Sequence, residues 1–151
     1  MKLIGDEHVS PKIIRAIRDL GLAGREGWTI ESVVGSRYAS IEDEDWIVAF
    51  ANDGGRGLLS ADREMLQRRT LVQQIAQTGL IAVYLPKKWA SSHKAWQASH
   101  ILFWWPRIVA TFESARNGSA WYVPGSFDET QPFREVRPFG EQISDQKNQT
   151  G

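Results

Sequence analysis

Acidic residues stand at three separated places early in the chain: Asp6, the run Glu42-Asp43-Glu44-Asp45, and Asp62 followed by Glu64. Carboxylates brought together repel one another, so a site that gathers them needs a cation. Mg²⁺ and Mn²⁺ fit, because they prefer oxygen ligands and keep several waters. Such a site can hold a phosphate oxygen, acidify a bound water and steady a leaving oxygen. Hydrolysis of a phosphodiester is the reaction this set suits. Each acid also has an ordinary explanation as a turn former, a helix cap or a complement to a helix dipole. The signal lies in the combination.

The combination works only if the fold brings these positions to one edge. Lys2–Gly5 reads as a short buried strand that ends at Asp6. Ser10-Pro11 reads as a hydroxyl cap with proline at the first helical position, and Ile13, Ile14, Ile17 and Leu20 recur at helical spacing up to Gly21. Residues 28–34 (WTIESVV) read as a second strand. Ser40 is placed to cap a helix opening with IEDED, whose apolar stripe is Trp46, Ile47 and Phe50. Gly57–Ser60 is a third strand, ending just before Asp62. Residues 66–78 read as a helix closed by Gly79, and residues 80–85 (LIAVYL) as a strand covered on both faces. Residues 92–116 read as helical, with Pro106 expected to kink or divide the helix, and 119–123 as a last strand. Strands and helices thus alternate, which implies an α/β layer fold with a mostly parallel sheet. Sites in such sheets lie at the carboxyl ends of the strands. Asp6 and Asp62 follow strands, and the 42–45 acids open a helix on that same edge.

Composition sets the limits. The chain has 151 residues, 42% of them hydrophobic and 24% charged, enough for one domain with a full core. The reading is a single domain over 1–139 and a polar, disordered tail over 140–151. There is no Cys, which excludes disulfides, thiolate metal sites and cysteine nucleophiles. Basic and acidic residues balance at 18 each, which argues against coating nucleic acid by bulk charge but not against a local basic patch. No apolar run approaches a membrane span, and the N-terminal stretch is too short for a signal peptide, so a cytoplasmic location is the expectation.

The stretches DEHVSPKIIRAIRDLG, SIEDEDWI and GLLSADREM together resemble the PIN-like domains. They most resemble the small branch grouped with VapC-type toxins of toxin–antitoxin systems, over roughly residues 1–125. That resemblance implies a three-layer α/β fold and an endoribonuclease dependent on Mg²⁺ or Mn²⁺. It implies that Asp6, Asp43 and Asp62 hold the metal and that Glu64 takes the place of a weaker fourth acid. Asp43 is chosen because it stands three residues before Trp46, with Glu44 as the alternative register. It also implies an RNA substrate, a cognate antitoxin protein as partner, and a possible homodimer. Other readings are a PIN-like nuclease outside any toxin–antitoxin pair, and a non-catalytic α/β module whose acidic edge binds a basic partner.

Further residues are candidates for substrate. Ser60 stands two before Asp62 and can bond a water or a phosphate, or simply end its strand. Arg63, Arg68 and Arg69, with Lys87 and Lys88, can grip phosphates, or form an ordinary solvated surface. Trp89 and Trp96 can stack on bases or pack in a core. His8, near Asp6, has a loop role as its simpler explanation, and His93 and His100 lack a third zinc ligand. The apolar stretch 101–112 (ILFWWPRIVATF) is either a buried helix or an interface.

Overall fold

The structure is a computed structural model that describes residues 1–21 and 27–136. The tail assigned to 140–151 lies outside the described residues, as does the end of the domain range at 139.

A sheet of six strands forms the middle layer, in the order β2-β1-β3-β4-β5-β6. The strands are β1 (Lys2–Gly5), β2 (Thr29–Ser32), β3 (Gly55–Ser60), β4 (Ile81–Tyr84), β5 (Ala120–Tyr122) and β6 (Arg134–Val136). Every neighbouring pair is parallel except β5 with β6. Side chains alternate across the pleat, so consecutive residues serve opposite layers. Leu3, Leu59, Val83 and Leu85 face α1 (Pro11–Asp19) and the long helix α5 (Lys94–Ser114). Ile4, Leu58, Ala82 and Tyr84 face α2 (Asp43–Asn52) and α3 (Arg69–Thr78). Two apolar cores therefore enclose the sheet, giving the three-layer α/β fold expected. Full burial on both faces is why β4 reads as an unbroken apolar run.

Glycine is required at the start of β3. A Cβ built on Gly57 would lie 2.3 Å from the Phe112 ring, and one on Gly55 would lie 2.4 Å from the Phe50 ring. Phe112 belongs to one core and Phe50 to the other. The pairing with β1 shifts by one residue here, from Lys2 opposite Gly55 to Leu3 opposite Gly57. The intervening Arg56 turns its guanidinium to the Phe112 carbonyl at 3.1 Å, near the end of α5.

Several local expectations are corrected. Ser10 sits at the cap position of α1, but its hydroxyl makes no capping bond and is buried without a partner. Ser40 does not cap α2: the helix starts at Asp43 after Glu42, with Asp43, Glu44 and Asp45 in its first turn. The helix placed at 66–78 is a 3₁₀ turn over Arg63–Gln67 and then α3, separated by Arg68 in an extended conformation. Pro106 does not divide its helix; α5 continues through it. Pro106 is exposed while Trp104, Trp105 and Ile108 are buried, so packing on both sides of the proline outweighs the lost backbone bond. Ile101, Trp104, Trp105, Ile108 and Phe112 are buried, which bears out a buried face for residues 101–112, while Phe103 stays exposed. The short helix α4 (Lys87–Ala90) and the edge strand β6 were not foreseen. Among the described residues no helix is long and apolar enough to cross a membrane.

Candidate active site

Strand register builds the site. Gly5 pairs with Leu59, so Asp6, one residue on, comes beside Ser60. The backbone keeps the ladder going, with the Asp6 amide donating to the Leu59 carbonyl at 3.0 Å. Asp6 is 2% exposed. The Ser60 hydroxyl donates to Asp6 Oδ2, and the His8 amide donates to Oδ1 at 3.0 Å. Ser60 Oγ also accepts from the Asp62 amide at 3.0 Å, so one hydroxyl joins the first and third acids. Asp62 caps the 3₁₀ turn through the Glu64 amide at 3.0 Å. His8 Nε2 lies 3.5 Å from Asp62 Oδ2. Ser60 pairs with Tyr84 across β3 and β4, which sets a buried phenol beside these acids.

Burial dominates the electrostatics. It pushes the Asp6 carboxyl from 3.8 up to about 6, against the bonds from Ser60 and His8 that favour the charged form. The Tyr84 phenol is pushed up as well, by burial first and by the charges of Asp6, Tyr122 and Asp62 after it. A recess of about 270 Å³ opens beside the acids, lined by His8, Ala61, Asp62, Glu64, Lys87, Ala90 and Ser91.

The sequence candidates divide. Asp6, Ser60, Asp62, Glu64 and Lys87 come to this one edge. Lys88 turns instead to the Trp89 ring, 4.6 Å from its centroid. Arg63 opens the 3₁₀ turn. Asp43 makes a separate arrangement. Its Oδ1 accepts from Trp46 Nε1 at 2.9 Å and its Oδ2 from Arg68 at 2.8 Å, while Arg68 also reaches Glu44. The extended break at Arg68 is what lets this side chain leave the helical path and bridge both acids. Sequence reasoning missed this bridge and the placing of Tyr84. Only the parallel pairing of β3 with β4 could have suggested the second, and nothing local signals the first.

Among the described residues no three His, Asp or Glu side chains are gathered closely enough to hold a metal ion by themselves. The donors still fit Mg²⁺ or Mn²⁺. Asp6 and Asp62 offer hard oxygen donors, one hydroxyl bonds the Asp6 carboxylate and the Asp62 backbone amide, no lysine or arginine among the described residues pairs with Asp6, and such ions commonly take one or two carboxylates with water and phosphate completing the shell. The two oxygens of a carboxylate together accept about four bonds, so Asp6, which accepts from Ser60 and from the His8 and Ala61 amides, keeps capacity for a further partner.

No curated protein and no solved structure matches the chain significantly. The family described as PIN-like domain matches residues 1–87, a span that holds β1 through β4 and all the acids of the site. With that match, the three-layer fold and the acids at the carboxyl ends of β1 and β3, the chain belongs to the PIN-like domain family, whose members are generally nucleases.

Proposed function

We propose that the protein is a metal-dependent endoribonuclease whose centre is Asp6, Ser60 and Asp62. The observation that carries this reading is the Ser60 hydroxyl, which donates to the Asp6 carboxylate and accepts from the Asp62 backbone amide, so that the residues following β1 and β3 meet beside an open recess lined by Asp62 and Glu64. Asp6 and Asp62 would hold Mg²⁺ or Mn²⁺. When bound, the ion supplies Lewis acidity at the scissile phosphate and acidifies a water. Ser60 would fix the orientation of the Asp6 carboxylate and the backbone position of Asp62. Lys87, exposed on the recess wall, would attract the phosphate, and Glu64 on the same wall would accept a proton from the attacking water. Asp43 enters the reaction only if Arg68 releases it.

The motif resemblance supports a finer role, the toxin of a toxin–antitoxin pair held inactive by an antitoxin protein. Growth arrest on expression in a host without the antitoxin is the expected result, and unaffected growth would remove that role. The nuclease itself is tested by incubating mixed structured RNAs with the protein in Mn²⁺, Mg²⁺ or EDTA. Cleavage should need the metal and vanish in Asp6→Asn. No cleavage, together with no metal binding by calorimetry, would reject the reading.

A further inference from the structure

The largest exposed apolar side chain of the described residues is not on the acidic edge. Trp96, in the first turn of α5, is 58% exposed. Its ring stacks on Trp89, with centroids 6.3 Å apart and planes 30° from parallel. Trp89 stacks in turn with His100 at 5.5 Å and meets Phe127 edge-on, and Phe127 meets Phe103. Phe127 and Phe103 are exposed as well, so these rings make a connected patch rather than scattered residues.

The patch is held rigid. Trp89 Nε1 donates to the Gly125 carbonyl and Trp104 Nε1 to the Ser126 carbonyl, each at 2.8 Å. His100 Nε2 lies 2.7 Å from the Pro124 carbonyl, which can only accept, so this nitrogen carries the proton. Burial holds the His100 imidazole below its ordinary value and therefore neutral. A ring surface fixed in this way loses little entropy when a flat partner lies on it.

Its surroundings are cationic. Lys87, Lys88 and Lys94 are exposed and make no ion pair among the described residues. Protein–protein interfaces are depleted in lysine at their cores, whereas rings with nearby amines suit the bases and phosphates of a nucleic acid strand. A duplex hides the faces of its bases, so only an unpaired segment can stack here. The position also matters. The four residues of α4 carry Trp89 on the patch and Lys87 and Ala90 on the wall of the acidic recess.

We propose that the Trp96–Trp89 surface with Lys87, Lys88 and Lys94 docks an unpaired stretch of RNA and leads it into the recess. The choice of RNA rests on the proposed nuclease reading.

The test is fluorescence anisotropy of the full chain with a labelled, unstructured RNA of about 12 nucleotides, in EDTA so that binding is read without cleavage. Trp96→Ala should weaken binding about tenfold, and Trp96→Phe should retain most of it. Lys94→Ala should lower the slope of log affinity against log salt by about 0.7. The same sequence as a duplex should bind more weakly and ignore Trp96→Ala. Wild-type affinity in Trp96→Ala overturns the proposal. So does an equal loss for strand and duplex, a DNA strand bound more tightly than RNA, or a dimer in sedimentation that Trp96→Ala disperses without changing RNA affinity. Tight, Trp96-dependent binding with neither metal-dependent cleavage nor metal binding by calorimetry would reject the nuclease and keep the docking surface. Cleavage with Trp96-independent binding would do the reverse.

Discussion

Two of the protein's pairs of acids meet charge repulsion in opposite ways. Asp43 and Glu44, at the start of α2, are partly exposed and share Arg68. One guanidinium of the chain offsets part of their charge. Asp6 and Asp62 have only a hydroxyl, backbone amides and the neighbouring His8. Burial raises the cost of ionising Asp6, and among the described residues no lysine or arginine offsets it. The first pair shares a cation that the chain itself supplies, and under the proposed function the second would take one from solution. The identity of an acid is therefore a weaker guide to its role than what already neutralises it.

The sharpest way to break this comparison is the rate of RNA cleavage. Asp6→Asn should lower it at least about a thousandfold while the circular dichroism spectrum stays unchanged. A mutant close to wild type would remove Asp6 from the reaction.

Stability comes next. Asp6 binds its proton more tightly folded, at about 6, than unfolded, near 3.8. Between these values the folded state holds more protons, so the stability Asp6 contributes is present at low pH and lost as pH rises through about 6. Without metal, Asp6→Asn should therefore be more stable than wild type at pH 7.5, by up to about 3 kcal/mol, with the gap closing toward pH 4. Urea unfolding at both pH values measures it, and a gap that did not depend on pH would contradict the burial argument. Mg²⁺ should raise the melting temperature of the wild type but not of Asp6→Asn, and less so below pH 6.

A smaller effect separates the pairs directly. Asp43→Asn should cost at least about tenfold less activity than Asp6→Asn, because Arg68 already pairs with this carboxylate (a tenfold ratio is about 1.4 kcal/mol). Equal losses would mean that Arg68 lets go during turnover. The smallest effect expected is that of Arg68→Ala on stability, below about 1 kcal/mol by urea unfolding, since the bridge is partly solvated.

How much of this was legible in the sequence follows from how local each cause is. β1, β3 and β4 are short apolar runs, two of them followed by acids, and this pattern was enough to place Asp6 and Asp62 on one edge. The cap of α2 was misplaced because Ser40 offers a hydroxyl but the turn ends only at Glu42. The break at Arg68 was invisible because residues 66–78 have helical composition throughout, and the force that opens the chain there is a contact with residues 43 and 44. β6 was missed because it is three residues long, largely exposed and antiparallel, and so carries little hydrophobic signal. Asp43 shows the limit most clearly: its motif is visible in the sequence, while its neutralisation depends on the third dimension.

The single-residue shift beside Arg56 has a consequence for how insertions and deletions would be tolerated. In a pleated strand, odd and even positions belong to different sides of the molecule. Gly55 and Gly57 would share a side in a regular strand, yet they meet rings from opposite cores, because Arg56 is an additional count between them. The strand thus changes parity at its entrance, before it reaches Ser60. Replacing Arg56 alters one side chain, but deleting it would put the entrance and the exit of the strand out of phase. Length at this point is under tighter constraint than chemistry, although the residue lies at the opposite end of the strand from any carboxylate of the site.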